Sequence, residues 1–331
     1  MKALCFDSFG GPEVLALREI PDPRPRPGEL LVRMRAIGLN FADVYRRRGN
    51  YHLAGQPPYI LGYEGAGVVE EVAPEAETGR PSAWRAGDRV AFADVPFANA
   101  ELVVVPADRA IPLPPSIPFD TAAALLLQGL TAHYLTHDSY AVRPGTLALV
   151  HAAAGGVGQL LTQIARLRGA RVFGLTSSEP KRQAALAAGA DEVALYASDW
   201  KAQAAAFAAA SGRSPGLDVA YDSVGSTLSD SFAVVRNGGT VVFYGMAGGD
   251  PKPVDPRMLM DTSKTLTGGD LWNVLTSAEE RRRRASVLWE WVESGALRPG
   301  PIRRFPLAEG ADAHRLLESR ESVGKILLMP G

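Results

Sequence analysis

Cysteine is almost absent from this chain, which has one thiol, Cys5, among 331 residues. A single thiol excludes an internal disulfide and any cysteine-rich zinc site. Cys5 lies in an apolar run at residues 3–6, which is typical of a buried strand.

Long apolar runs and an excess of charge are also lacking. The chain is 46% hydrophobic, yet no apolar run reaches the 18 or so residues of a membrane span. The formal net charge of −1 and the dispersed basic residues indicate no nucleic-acid or membrane partner. The densest basic cluster, Arg281 to Arg284, is predicted to be the solvated face of a helix. The apolar stretch at the start, Met1-Lys-Ala-Leu-Cys5, is too short and interrupted for a signal peptide, and Asp7 soon follows. We therefore expect a cytoplasmic protein with a small-molecule partner.

Two different patterns of secondary structure divide the chain. Short strands and turns occupy residues 1–121, with strands at 30–37, 65–72, 88–92, 101–105 and 111–115 and a polar loop at 74–85. This pattern predicts a partly open β-barrel. A helix follows at about 119–140.

From residue 147, strands alternate with helices, which predicts an α/β unit with a doubly wound parallel sheet. The candidate strands are 147–151, 171–175, 192–196, 217–222, 240–244 and 265–268, and the helices are 158–168, 180–188, 200–210 and 228–235. A helix at 277–294 and a strand at 325–329 end the chain. We therefore predict one domain of residues 1–121 and 270–331, with a Rossmann domain of residues 122–269 inserted.

The first alternating strand runs into a glycine turn and a helix. Gly155, Gly156 and Gly158 allow a tight turn and close approach of a pyrophosphate to the helix start. Ala153 occupies the place of the first glycine of the usual fingerprint. Glycines at this place are also found in purely structural turns, so the motif alone does not distinguish a phosphate site from a structural turn.

The end of the second strand indicates which dinucleotide fits. An NAD site needs an acid there, but the chain has Thr176 and Ser177, with Lys181 one helical turn further. Hydroxyls and a cation suit a ribose 2′-phosphate, so we predict NADPH. Glu179 is the argument for NAD, and Ser178 reads as a helix cap.

In combination, these motifs resemble the zinc-free medium-chain dehydrogenases/reductases, closest to the quinone oxidoreductase (zeta-crystallin) family. The resemblance spans the chain and rests on Ala36-Ile-Gly-Leu-Asn-Phe-Ala-Asp43, Gly62-Tyr-Glu-Gly-Ala-Gly67, Gly87-Asp-Arg-Val90, Gly129-Leu-Thr131, His151-Ala-Ala-Ala-Gly-Gly-Val-Gly158, Asp222-Ser-Val-Gly225 and Glu318-Ser-Arg320. It implies that the β-rich domain is GroES-like and that the enzyme is a homodimer paired near residues 265–268.

The resemblance also implies a set of site residues. The cofactor set is Phe41, Thr131, Tyr134, Gly155, Gly156, Val157, Gly158, Ser177, Lys181, Tyr196, Ser223, Val224, Tyr244, Gly245, Met246, Ala247, Gly268, Gly269, Asp270 and Arg320. The catalytic set is Asn40, Asp43, Tyr45 and Tyr51, with Tyr51 as the favoured proton donor. Each catalytic candidate has a structural alternative: the tyrosines as packing, Asp43 as a helix cap and Asn40 in a turn.

No metal is expected. Zinc relatives in the superfamily hold their metal with cysteine and histidine where this chain has Asn40 and Tyr63, and its five histidines show no ligand spacing. A reaction without a Lewis acid suits quinones or conjugated carbonyls. We therefore predict an NADPH-dependent quinone reductase. The alternatives are a 2-alkenal or enone reductase and, less favoured, a non-catalytic NADPH-binding protein.

Overall fold

The computed structural model describes residues 1–73, 83–212 and 215–331. The chain forms two units: residues 1–127, 275–295 and 301–331 make the first, and residues 128–274 and 296–300 make the second. Most of the polar loop predicted at residues 74–85 lies outside the described residues.

Strands occur throughout the chain. Most lie close to the predicted positions, but the strands Ala16–Glu19, Tyr59–Ile60 and Ile302–Pro306 lie outside the predicted set, and the strand predicted at 240–244 begins at Val235. Their bounds are β1 Lys2–Phe6, β2 Ala16–Glu19, β3 Glu29–Leu39, β4 Tyr59–Ile60, β5 Gly65–Val72, β6 Arg89–Phe92, β7 Leu102–Pro106, β8 Ile111–Pro112, β9 Leu147–Val150, β10 Arg171–Thr176, β11 Glu192–Leu195, β12 Leu217–Asp222, β13 Val235–Phe243, β14 Thr265–Gly268, β15 Ile302–Pro306 and β16 Lys325–Met329. The predicted strands at 65–72, 217–222, 265–268 and 325–329 have the observed bounds.

Helices lie between the strands of the second unit and flank those of the first. The α-helices are α1 Phe41–Arg47, α2 Phe119–Tyr134, α3 Gly156–Leu167, α4 Glu179–Ala187, α5 Trp200–Ala209, α6 Leu228–Val234, α7 Pro256–Thr262, α8 Leu271–Val274, α9 Ala278–Glu293 and α10 Gly310–Glu318. A π-helical turn, Leu135–Ser139, continues α2, so the predicted helix at 119–140 is confirmed. Among the described residues, no helix is both long and apolar enough to cross a membrane.

The second unit is built on a six-stranded parallel sheet with the order β11-β10-β9-β12-β13-β14. The chain runs from β9 outward through β10 and β11 on one side, and then returns to β12 on the other side of β9 and continues outward to β14. This change of direction at β9 is typical of a doubly wound fold. Buried apolar residues such as Leu149, Phe173 and Val241 form its core. The predicted Rossmann sheet is confirmed.

The first unit contains a seven-stranded antiparallel-rich sheet and a small three-stranded sheet. The long strand β3 is central, because it pairs with β5, β7 and β16. The small sheet has the order β2-β1-β4. Cys5 lies buried in β1, as expected, and burial raises the pKa of its thiol. The predicted β-rich domain is confirmed.

The prediction for the arginine cluster is wrong for two of its four members. Arg281 and Arg284 are buried on α9, at 6% and 5% exposure, and only Arg282 and Arg283 face solvent. Arg281 donates to Asp94 at 2.6 Å. A single sequence of four arginines covers more than one full helical turn, so it cannot lie on one face.

Candidate cofactor and substrate site

The carboxyl edge of the parallel sheet gathers most of the predicted cofactor residues. Because β9 to β14 run parallel, the segments that follow them lie along the same edge. These residues are Gly155, Gly156, Val157 and Gly158 after β9; Ser177 and Lys181 after β10; Tyr196 after β11; Ser223 and Val224 after β12; Tyr244, Gly245, Met246 and Ala247 after β13; and Gly268, Gly269 and Asp270 after β14. Thr131 and Tyr134 lie on α2 of the same unit.

The turn after β9 forms a glycine cradle at the start of α3. Gly155 is the N-cap of this helix. A Cβ on Gly158 would lie 2.4 Å from the Ala152 carbonyl oxygen, and one on Gly156 would lie 2.0 Å from Gln128 Oε1. The backbone around Gly158 is thus packed too closely for a larger residue at that position, while the first N–H groups of α3 point outward from the helix end. A cradle of this kind fits a phosphate group.

A buried histidine lies directly before the cradle and contacts the residue that bonds to it. His151 is 0% exposed. Its Nδ1 lies 3.1 Å from the Tyr196 hydroxyl, which also accepts a hydrogen bond from the Ala152 N–H, and its Nε2 lies 2.9 Å from Ser231 Oγ. Burial lowers the pKa of His151 against the opposing field of Asp222.

Asp222 organises the turn after β12. Its Oδ1 accepts from the N–H groups of Val224 and Gly225 at 2.9 and 3.0 Å, and its Oδ2 accepts from Ser231 at 2.7 Å. Burial alone would raise the pKa of Asp222, but His151 and these donors outweigh burial and lower the pKa. The turn that carries Val224 is therefore fixed by a carboxylate within the sheet.

The end of β10 has the side chains expected for a 2′-phosphate. Ser177 is exposed and Lys181 partly exposed. The carboxylate of Glu179 is held on its own helix, accepting from Gln183 at 2.7 Å and from Arg182 at 3.2 Å. Thr176 is 1% exposed, and its hydroxyl has no partner among the described residues. The acid that argued for NAD thus accepts hydrogen bonds from its own helix, α4.

In the first unit, three buried polar residues meet at one end of β3. Asn40 follows β3, Glu64 precedes β5 and Lys325 begins β16. Both partner strands run antiparallel to β3, with the register Ile37 to Gly65 and Leu39 to Ile326. These pairings bring the three side chains together.

The short helix α1 begins beside this group and carries the predicted catalytic residues. Asn40 is its N-cap, and the Asn40 backbone N–H donates to Asp43 Oδ2 at 2.9 Å. Asp43 is 1% exposed, and its other oxygen lies 3.4 Å from Arg46. Burial raises the pKa of Asp43 although Arg46 and the Asn40 N–H oppose the shift. Asp43 thus faces the interior, where it caps the helix.

Aromatic rings surround the Arg46 guanidinium. Its Cζ lies 3.7 Å from the ring centroid of Tyr63 and 5.1 Å from that of Tyr51. The Tyr45 ring meets Tyr51 edge-on at 6.2 Å and Phe41 at 6.0 Å. The structure therefore brings the predicted Phe41, Tyr45 and Tyr51 together. Arg320 lies elsewhere in this unit, just after α10, with a positive φ of 62°.

Sequence reasoning missed Lys325, Arg46 and the role of His151. Lys325 is the clearest case, because a lysine heads an apolar strand, Lys325-Ile-Leu-Leu-Met, and such a cation needs a buried partner. Its partner Glu64 is 261 residues away in the sequence, so no local pattern connects them. In the part of the chain that the structure describes, no cluster of three or more His, Cys, Asp or Glu residues has a geometry for metal binding.

Comparison with known proteins gives two family matches. Residues 26–115 match the alcohol dehydrogenase GroES-like domain, and residues 156–283 match the model described as zinc-binding dehydrogenase. A quinone oxidoreductase of Pseudomonas aeruginosa is 38% identical over 332 residues, covering 99% of each chain. A 2-haloacrylate reductase of a Burkholderia species is 35% identical over 329 residues, covering 97% of this chain and 96% of its own.

A solved structure extends the likeness to the fold. The Escherichia coli quinone oxidoreductase complexed with NADPH superposes with a TM-score of 0.93, at 34% identity and 100% coverage of both chains. This chain is therefore similar to that enzyme in both sequence and fold over its whole length.

Proposed function

This chain belongs to the zinc-free quinone oxidoreductase family of the medium-chain dehydrogenases/reductases, and from that membership we propose that it is an NADPH-dependent quinone reductase. It is an oxidoreductase, and the choice of NADPH follows from the end of β10. Glu179 is engaged by Gln183 and Arg182, whereas Ser177 and Lys181 supply a hydroxyl and a cation there. That arrangement is the observation that carries the choice of cofactor.

We assign cofactor binding to residues 122–269 and substrate reduction to residues 1–121 with 270–331. The glycine cradle at the start of α3 would hold the pyrophosphate, and Lys181 and Ser177 the 2′-phosphate. When bound, NADPH supplies the hydride. The protein's own contribution is to orient the acceptor, exclude water and deliver a proton, for which the Tyr51 hydroxyl is the preferred donor.

The reaction proceeds without zinc in this proposal. Asn40 and Tyr63 stand where the superfamily's zinc enzymes have metal ligands, and the neighbouring Glu64 is already paired with a lysine ammonium at 2.6 Å. Without a Lewis acid, the acceptor has to delocalise the incoming charge itself. Quinones do so, which is why they are favoured over saturated ketones.

A conjugated enal, enone or acrylate is the second candidate substrate. The 2-haloacrylate reductase is 35% identical to this chain, and its substrate is also an electron-poor alkene. Both candidates need the same hydride geometry, so they differ only in the shape of the acceptor and the site of protonation.

A turnover assay separates these candidates. NADPH oxidation is followed with naphthoquinone, an enal, 2-chloroacrylate and a saturated ketone, each with and without EDTA. We expect turnover with the quinone, none with the saturated ketone and no effect of EDTA. Loss of activity in EDTA would contradict the zinc-free proposal, and tight NADPH binding without any turnover would favour a non-catalytic protein.

We also propose a homodimer that pairs through β14, the edge strand of the six-stranded sheet. Met260, on the adjacent helix α7, is 70% exposed, as a residue at an interface would be in an isolated chain. Light scattering after size exclusion would give twice the chain mass of 35.2 kDa, and a monomer would contradict the proposal.

A further inference from the structure

A buried ion pair encloses the side-chain amide of Asn40. Lys325 Nζ lies 2.6 Å from Glu64 Oε2 and donates to Asn40 Oδ1 at 2.8 Å. Asn40 Nδ2 closes the triangle by donating to the same Glu64 oxygen at 2.9 Å. Lys325 is 2% exposed, Glu64 0% and Asn40 6%, so the three side chains interact away from bulk water.

The two charged partners fix the orientation of the Asn40 amide. An ammonium only donates hydrogen bonds, and a carboxylate only accepts them. Rotating the amide by half a turn would point its NH₂ group at Lys325 and its oxygen at Glu64, so that donor faces donor, acceptor faces acceptor and both bonds are lost. The observed orientation, with Oδ1 on Lys325, is the one that satisfies both partners.

The donors of this amide are fully used inside the protein. Besides Glu64, Nδ2 donates to the Gly38 carbonyl oxygen at 3.3 Å, and an amide nitrogen has two hydrogens. Little room exists to change this arrangement, because a Cβ on Gly38 would lie 2.1 Å from Glu64 Oε2. Asn40 cannot donate to a reacting oxygen without giving up one of these bonds.

We infer that Lys325 and Glu64 are positioning residues that hold the Asn40 amide in one orientation for the reaction. The inference rests on the proposed function, because it assigns how Asn40 acts in a hydride-transfer site. Because both Nδ2 hydrogens are bonded inside the protein, charge developing on the substrate oxygen would be met by another group.

Replacing the ion pair with apolar side chains tests this inference. A buried pair changed to packed apolar residues often leaves a protein as stable as before, whereas removing one partner does not. The test variant therefore carries both Lys325→Met and Glu64→Leu. If the pair served only stability, this variant would regain activity together with its melting temperature. If the pair positions Asn40, the variant stays folded while kcat falls about 10- to 100-fold.

A second buried ion pair in the same unit gives a matched control. Arg281 and Asp94 are 2.6 Å apart, with side chains 8% and 3% exposed, and neither belongs to the proposed site. The variant with Arg281→Met and Asp94→Leu should keep kcat within about twofold of the parent. A Lys325→Met, Glu64→Leu variant that is equally active would overturn the inference, as would a loss of kcat of the same size in both.

The orientation of Asn40 has a readout that needs no turnover. The chain has five asparagines, so isotopic labelling of asparagine gives a nuclear magnetic resonance spectrum with few side-chain amide pairs, and Asn40→Asp identifies the pair of interest. We expect slow solvent exchange of this NH₂ group in the parent, and a shifted, faster-exchanging signal once the ion pair is replaced. If the parent reduces no acceptor, the proposed function fails. The amide signal still tests the inference separately, because fast exchange of the Asn40 NH₂ group in the parent would overturn it.

Discussion

The Tyr196 hydroxyl accepts a hydrogen bond from the backbone N–H of Ala152 at 3.0 Å. This contact ties the residue after β11 to the turn that opens the glycine cradle. Ala152 has a φ of 48°, in the left-handed region that an alanine adopts only at a cost of about 1–3 kcal/mol. The hydroxyl therefore helps to hold a strained residue at the start of the cradle.

Tyr196→Phe is expected to weaken NADPH and NADH binding by similar factors. The hydroxyl supports the cradle, which would hold the pyrophosphate common to both dinucleotides, and one lost hydrogen bond of this kind corresponds to about 1–2 kcal/mol. Dissociation constants from fluorescence titration check this result. Selective loss of NADPH affinity would instead show that Tyr196 contacts the 2′-phosphate directly.

Gly158→Ala and Gly155→Ala form a matched pair in the cradle. The Cβ added to Gly158 would lie 2.4 Å from the Ala152 oxygen and 2.8 Å from the Ala153 Cα, both in the backbone, whereas that on Gly155 would lie 3.2 Å from its nearest neighbour. Gly158→Ala should therefore cost about 1–3 kcal/mol of stability and abolish most of the thermal stabilisation by NADPH. Gly155→Ala should cost less stability, and equal losses of stability in the two variants would contradict the packing argument.

The fold could be predicted from the sequence because its signals are local. Apolar runs bounded by glycine, such as the one ending at Val150, recur with helices between them, and this alternation determines a parallel sheet. The cofactor residues follow from the same rule, since they come directly after strands. Where helical phase mattered, the prediction failed: Arg281 and Arg284 were assigned to solvent, but they lie on the buried face of α9.

The substrate side of the site could be predicted only in part. Asn40, Tyr45 and Tyr51 are near in sequence, and the resemblance covers them together. Lys325 joins Asn40 across 285 residues, because β16 pairs with β3, and a strand pairing of that separation leaves no periodic trace. The partner of a buried charge is a property of the tertiary structure and has to be observed.

His314 makes stability depend on pH. It is fully buried, and its Nδ1 lies 2.9 Å from Arg47 Nη1. Burial, followed by the Arg47 charge, lowers the pKa of His314 from 6.5 to about 3. Below pH 6.5 the unfolded chain thus binds a proton at His314 that the folded chain does not. The contribution of His314 to the free energy of unfolding is therefore complete above that pH and is lost as the pH falls toward 3. The loss is up to about 1.4 kcal/mol per pH unit.

Urea unfolding between pH 7 and pH 4 measures this dependence, with His314→Asn as the comparison. The asparagine Oδ1 can accept from Arg47 as Nδ1 does, but it does not titrate. We expect the variant to show a flatter dependence than the parent over this range. Parallel curves would show that His314 does not contribute to acid sensitivity.

Lys181→Ala is expected to raise the KM for NADPH about 10- to 100-fold and leave that for NADH unchanged. The reason is the loss of a charge-assisted hydrogen bond to the 2′-phosphate, which is about 1.5–3 kcal/mol. Lys2→Ala is the control, because Lys2 is an exposed lysine on β1 of the first unit. Steady-state kinetics with both cofactors check the result, and an equal loss for NADH would reject the 2′-phosphate assignment.

Tyr51→Phe tests the proposed proton donor. The Tyr51 ring is held between Tyr45 and Arg46, so the substitution removes the hydroxyl and retains the packing. General acid catalysis contributes at least about 100-fold, and we expect kcat with an enal to fall by that factor while the KM for NADPH is unchanged. Tyr45→Phe, a change of the same size on α1, should lower kcat less.

Because a reduced quinone can take its proton from water more readily than a carbon centre can, the loss with naphthoquinone should be smaller. A kcat for the enal within about twofold of the parent would mean that the proton comes from another group or from solvent.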